Sequence, residues 1–250
     1  MMESRYYKEH SSYLDRDMEF KMYGYDGILC LIIPCQNGRF FEWEDRKMFD
    51  LMSKWIDAGQ IQFVTIDTID AETWSSHEAS GPRMAQHENW VNYIMNELVP
   101  SALKKAKKSL DENMMIMGAS MGATHAANLF FRFPDRFSKL IALSGVYDLS
   151  RYIYDNNFDG NFYQNSPLAY LPNMNIHHNY IQKYNSNQAC FVVGQGAWED
   201  VCLDDLRRLA DVMYQKSIQI PSYFWGEDTP HDWPSWEQQI LTYLPEIIEE

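Results

Sequence analysis

Short apolar runs alternate along the chain with longer stretches in which apolar residues recur every three or four positions. The runs lie at Ile28–Ile33 and at residues 62–66, 114–117, 139–144, 189–193 and 219–225. Runs this short, with no polar face, fit strands buried on both sides of a sheet. Between them, Met48, Leu51, Met52 and Trp55 share one face of a helix predicted over 44–58, with Gly59 as its stop. Residues 87–108 read as a long helix interrupted at Pro100. Further helices are predicted from near Met121, over 203–216, and from Trp233 or Pro234 towards Glu249. A weakly alternating stretch at 18–23, followed by Gly24 and Asp26-Gly27, predicts a leading hairpin strand. Strands alternating with helices predict an α/β fold: a mostly parallel central sheet with helices on both faces. In such sheets, ligand sites lie beyond the carboxyl ends of the strands.

Two segments break this rhythm. Residues 67–86 read as a polar loop holding Trp74 and Arg83, and residues 147–187 are rich in Asn and Tyr, with breakers at Gly160, Pro167 and Pro172. A long irregular stretch inside a compact domain is commonly functional. With no internal repeat and no low-complexity linker, the reading is one domain over 1–250 carrying an insertion at about 147–187. Its aromatics, Tyr152, Tyr154, Phe158, Phe162, Tyr163 and Tyr170, suit either packing against the sheet or stacking on a ligand.

Composition narrows the function classes. The 250 residues carry a formal net charge of −14, which repels phosphate backbones, so no nucleic-acid partner is expected. The basic patch Lys104-Lys105 with Lys107-Lys108 falls at a predicted helix end, where it suits the helix dipole. No apolar run approaches the roughly eighteen residues of a membrane span, and the first ten residues lack the apolar core of a secretory signal. The expectation is a soluble, cytoplasmic protein. Four cysteines, at 30, 35, 190 and 202, show no C-x-x-C spacing, so neither a zinc ribbon nor a redox dithiol is indicated. No metal or cofactor is expected, and nothing in the sequence speaks to oligomeric state.

The sharpest chemical signal is Gly118-Ala119-Ser120-Met121-Gly122, a G-x-S-x-G string between an apolar strand and a helix. In a nucleophile elbow the turn is so tight that the residues flanking the serine at two positions' distance must be small. The backbone N–H of Met121 then stands where an oxyanion hole draws one donor. A serine hydroxyl needs a base, and the base an orienting acid, in the chain order Ser, acid, His. His231 sits after the last predicted strand, where that base belongs, whereas His125, five residues past the serine on its helix, points away and reads as structural. The pair His177-His178 lies in the insertion and reads as surface rather than as metal ligands. For the acid, the loop after strand 189–193 offers Glu199 and Asp200; Asp148 is a third candidate, and Asp228 stands too close to His231 in sequence. The second oxyanion donor is expected in the loop 34–39, from Asn37 or Gly38. Trp74 and Trp198 are the candidate pocket aromatics.

Four strings resemble the esterase D-like group of α/β-hydrolases. They are 36–45 (QNGRFFEWED), 118–122 (GASMG), 194–199 (GQGAWE) and 230–234 (PHDWP), and the likeness runs in order from about residue 28 to 240. The chain is similar, more distantly, to the mycobacterial mycolyltransferases. The resemblance implies Ser120 as nucleophile, His231 as base, Met121 as an oxyanion donor, and Glu199 as the acid ahead of Asp200 and Asp148. It also implies substrates that are carboxylic esters or thioesters, or acyl groups passed to an alcohol. The leading expectation is therefore a serine esterase working through an acyl-enzyme on a small-molecule substrate. The alternatives are an acyltransferase with the same triad and a non-catalytic binding protein on a hydrolase scaffold.

Overall fold

The computed structural model describes residues 3–249. Among them, eight strands form one sheet: β1 (Ser4–Ser11), β2 (Arg16–Tyr23), β3 (Ile28–Ile33), β4 (Ile61–Ile66), β5 (Met114–Ala119), β6 (Phe137–Leu143), β7 (Gln188–Val193) and β8 (Ser222–Phe224). Their order is β1-β2-β4-β3-β5-β6-β7-β8. The β1–β2 and β2–β4 pairings are antiparallel, and every pairing from β4 to β8 is parallel.

The strand pattern explains the layers. In β3, Leu29, Leu31 and Ile33 enter one apolar cluster while Cys30 and Ile32 enter the opposite one; β5 divides Met114 and Ile116 from Met115 and Met117 in the same way. A strand apolar on both faces needs cover on both. One face is covered by α1 (Ser80–Tyr93), α2 (Met121–Arg132), α3 (Asn179–Ser186) and α4 (Asp200–Gln215). The other is covered by α5 (Trp233–Ile248) and by the short helical turns between residues 42 and 57. This is the mostly parallel α/β sheet, covered on both faces, that the sequence pattern predicts, and it has the α/β-hydrolase arrangement that the resemblance implies. No helix among the described residues is long and apolar enough to cross a membrane.

Several elements differ from expectation. The helix predicted over 44–58 is three short turns, Glu42–Asp45, Met48–Leu51 and Ser53–Asp57, broken where Lys47 takes a left-handed conformation at φ 58° and again at Met52, at φ −92° and ψ 6°. Its apolar spacing survives the break, since Met48, Met52 and Trp55 are all buried. Helix α1 begins at Ser80, well before residue 87, and continues through a π turn, Ile94–Leu98, into a last segment, Val99–Lys105. Pro100 has no N–H to give the preceding turn, so the helix widens there instead of stopping. The hairpin partner of β2 precedes it: β1 alternates half-buried and exposed residues, too weak an apolar signal to predict a strand. The last predicted strand shrinks to the three residues of β8 at the sheet edge.

The insertion is less irregular than its composition suggests. It holds 3-10 turns at Leu149–Tyr152 and Leu171–Asn173, α turns at Gly160–Gln164 and Pro167–Tyr170, and then α3. Polar contacts, most of them partly buried, fasten it down. The Arg132 guanidinium bonds both Glu88 carboxylate oxygens and the Asn165 side-chain carbonyl. Arg83, itself buried, donates to the backbone carbonyls of Thr73, Glu78 and Tyr152, tying the loop 67–79 to the insertion.

Candidate active site

Strand β5 ends one residue before Ser120, which is held at φ 55°, ψ −128° as the cap of α2. Side chains rarely adopt this backbone conformation, and its cost is borne by the surrounding structure. A Cβ on Gly118 would lie 2.4 Å from the Gly122 carbonyl group, and one on Gly122 would lie 2.3 Å from the Ile33 carbonyl oxygen. Both glycines are thus dictated by backbone packed against backbone, and the second contact sets the end of β3 directly beside the elbow.

Three side chains from separate strand ends meet here. The Ser120 hydroxyl lies 2.9 Å from His231 Nε2, and His231 Nδ1 lies 3.1 Å from Glu199 Oε2. Glu199 has no exposed surface. Its second oxygen accepts from the Ser144 hydroxyl at 2.5 Å and from the Gly194 N–H at 3.4 Å. The Ser144 oxygen in turn accepts from the Trp236 indole N–H at 3.1 Å, and the Trp236 ring stands edge-on to His231 at 5.0 Å. A carboxylate at Nδ1 favours the tautomer with Nδ1–H, which leaves Nε2 free to accept from the serine. Sequence reasoning missed Ser144 and Trp236. Their only signal was position: Ser144 closes a predicted strand at the same sheet edge, and Trp236 lies in the first turn of the last helix.

The loops carrying the acid and the histidine are locked together by backbone. Gly196 N–H donates to the Thr229 carbonyl and His231 N–H to the Ala197 carbonyl, each at 2.9 Å. A Cβ on Gly194 would lie 2.1 Å from the Thr229 carbonyl oxygen. The string 194–199 is therefore a seat for the His231 loop as well as the carrier of Glu199.

The other candidate acids stand apart from this chain of bonds. Asp200, the first residue of α4, is exposed. Asp148 is partly buried, which works against ionisation, but bonds from Ser150 and Arg208 hold its carboxyl below the usual range. Asp228 faces the Thr229 hydroxyl at 3.5 Å. His125 is buried with Nε2 2.9 Å from Asp70 Oδ1, and His178 caps α3 by accepting from the Tyr180 N–H. Among the described residues, Glu199, Cys202 and His231 form the one group whose ligand atoms lie close enough to share an ion, within 4.8 Å of one another. Burial, with Glu199 and Asp205 nearby, pushes the Cys202 thiol well up. The same His and Glu atoms are already bonded to each other.

Two expectations about the site need correction. The amides of Asn37 and Gly38 are committed elsewhere: Asn37 N–H donates to Asp70 Oδ2 at 3.2 Å and Gly38 N–H to the Cys35 carbonyl at 2.8 Å. Neither is free to meet an oxyanion. Trp74 does not line a pocket, because it has no exposed surface; its indole N–H donates to His87 Nδ1, and it packs with Met121 and Phe162 behind the elbow. Trp198 is the opposite case, 85% exposed on the loop before Glu199. The two tryptophans share no surface.

The family model described as "Putative esterase" matches residues 11–247. The chain belongs to that esterase family. It is an enzyme of the esterase type, and its fold has many solved counterparts at low sequence identity. A ferulic acid esterase superposes with TM-score 0.75 at 17% identity, covering 100% of this esterase and 98% of that chain. MPT51 of Mycobacterium tuberculosis gives 0.74 at 13% identity, covering 97% and 98%. The S-formylglutathione hydrolase FrmB of Staphylococcus aureus gives 0.71 at 14% identity, covering 99% and 97%. Comparison with curated protein sequences gives no significant match to this esterase.

Proposed function

We propose that this esterase is a serine hydrolase in which Ser120, His231 and Glu199 act as a triad on carboxylic esters or thioesters. The observation that carries the reading is the unbroken line of bonds from the Ser120 hydroxyl through His231 to buried Glu199, at the carboxyl edge of the sheet. Ser120 Oγ attacks the substrate carbonyl carbon while His231 Nε2 takes its proton; the imidazolium is steadied by Glu199. Collapse of the tetrahedral intermediate expels the alcohol or thiol, protonated by His231, and leaves Ser120 acylated. Water, deprotonated by His231, then attacks the acyl carbonyl and releases the acid with the serine restored. Ester and thioester both fit, as the similar folds include a ferulic acid esterase and an S-formylglutathione hydrolase.

The developing oxyanion needs two N–H donors. Met121 N–H, in the first turn of α2, supplies one. For the other we assign Gln36, in place of Asn37 or Gly38. In the loop after β3, Pro34 has no N–H, and the amides of Cys35, Asn37, Gly38 and Phe40 already have acceptors. Of the two left, Gln36 follows closely on the Pro34 carbonyl that abuts Gly122, while the Arg39 side chain leads away to Asp67 and Glu19.

The test is labelling by a fluorophosphonate probe together with hydrolysis of p-nitrophenyl acetate. Wild type is expected to label on Ser120 and turn over, and Ser120→Ala to do neither, with a loss of at least about 10⁴-fold in kcat. A wild-type protein that neither labels nor hydrolyses sinks the proposal. Product analysis with added alcohol separates hydrolysis from acyl transfer, since a transferase returns a new ester in place of the free acid.

A further inference from the structure

The Cys35–Gln36–Asn37 backbone is held on both sides by carboxylates. Cys35 N–H donates to Glu42 Oε2 at 2.8 Å, and Asn37 N–H to Asp70 Oδ2 at 3.2 Å. Between these fixed amides stands the Gln36 N–H. Asn37 is in a left-handed conformation, φ 60°, so the chain turns sharply at this point. The Gln36 side chain is anchored as well, its amide donating to the Ser75 hydroxyl at 2.8 Å. Ser75 in turn donates its backbone N–H to the Asp70 carbonyl at 2.8 Å.

Asp70 reaches in two directions. Besides Asn37 it bonds His125, at 2.9 Å between Oδ1 and Nε2, and both side chains are almost wholly buried. His125 lies on α2, the helix whose first amide is that of Met121. One buried carboxylate thus joins the helix that offers one oxyanion donor to the loop that offers the other. A carboxylate removed from water is costly unless it is bonded in this way.

We infer that Asp70 and Glu42 are positioning residues for the oxyanion hole, fixing the distance and direction of the Gln36 N–H relative to Met121 N–H. Neither touches substrate. Their effect falls on the tetrahedral state, because a donor aimed at the developing oxyanion contributes little to the planar ground state. The inference rests on the serine-hydrolase reading of Ser120.

The experiment compares wild type with Glu42→Ala, Glu42→Gln, Asp70→Ala and Asp70→Asn. Three readouts are taken: kcat/KM for p-nitrophenyl acetate, inhibition by a trifluoromethyl ketone that forms a tetrahedral oxyanion adduct with the serine, and inhibition by the corresponding secondary alcohol, which forms none. Losing an oxyanion donor outright costs about 10²–10³-fold, so a donor left to drift is expected to cost about ten- to a hundredfold. Both alanine variants should lose that much in kcat/KM and in ketone affinity, with alcohol affinity within about threefold of wild type. The amide variants keep a carbonyl acceptor and should recover most of the loss. Equal weakening of ketone and alcohol, no weakening of either, or amide variants no better than alanine would overturn the inference. If Asp70→Ala does not fold, the Glu42 pair decides, since Glu42 is only partly buried on a single-turn helix. Failure of the serine-hydrolase reading itself is distinct, because wild type would then not label at Ser120.

Discussion

At the residue scale, burial and bonding separate carboxylates that position along the chain left level and only the family resemblance ranked. Glu199 and Asp200 are neighbours in one loop, yet one has no exposed surface and meets His231, while the other faces water at the start of α4. Glu199→Gln is therefore expected to lower kcat by about 10³–10⁴-fold at neutral pH, because an amide neither selects the right imidazole tautomer nor steadies its charge. Asp200→Asn should stay within about threefold of wild type, as an exposed carboxylate with no bond to the site has little to lose. Ester hydrolysis rates for the two variants, measured side by side, check this; equal losses would remove Glu199 from its role. The loop after β3 shows the reverse situation. Gly38 suggested itself because glycine is conformationally free, but the residue that takes a left-handed turn there is Asn37, and both amides are spent inside the loop.

At the element scale, the site is an assembly of strand ends whose loops interlock through backbone. The seat for His231 is the clearest instance, since Gly194 leaves room for the Thr229 carbonyl where any Cβ would collide. Gly194→Ala should push the 226–232 loop outward, destabilise the fold by about 1–3 kcal/mol, as overpacking commonly does, and lengthen the His231–Glu199 contact. Activity is expected to fall by at least about tenfold, the kind of penalty attached to small displacements of catalytic groups. Denaturant unfolding and steady-state kinetics on the same preparation test this, and an unchanged rate would show that the seat is not needed. How far elements were legible followed from signal strength. The doubly buried strands β3 to β7 announce themselves by continuous apolar runs. Strand β1 is half-exposed along its length and helix α1 begins at Ser80-Gly81-Pro82, so neither carries an apolar pattern that marks its start.

At the scale of the whole molecule, a buried aromatic and polar layer lies between the elbow helix and α1. His87 stacks on His125 and Trp90, and accepts the Trp74 indole N–H through Nδ1. Burial, with His125 beside it, pushes His87 well below the ordinary imidazole value of 6.5. As pH falls past that value, His87 in the unfolded chain takes up a proton that the folded chain refuses, so acid favours unfolding. The stability tied to His87 is complete above about pH 6.5 and is lost below it, with a limiting slope of about 1.4 kcal/mol per pH unit for one proton. His87→Gln keeps an acceptor for Trp74 but does not titrate. Urea midpoints at pH 7, 6 and 5 should therefore fall more steeply for wild type than for the variant; parallel falls would show that His87 does not govern the acid limb.

The sequence by itself determined the α/β pattern, the tight turn around Ser120 and the chain order of serine, acid and histidine, because each is written in local spacing: apolar runs of strand length, glycines two residues either side of a serine, and polar groups just past predicted strands. Local spacing says nothing of which distant groups consume a hydrogen bond. That Ser144 and Trp236 support Glu199, that Trp74 is sealed away, and that Glu42 and Asp70 take up the amides of Cys35 and Asn37 were decided only by tertiary structure. Each depends on contacts between segments many residues apart, where a buried donor or acceptor must find its partner or pay the cost of leaving water.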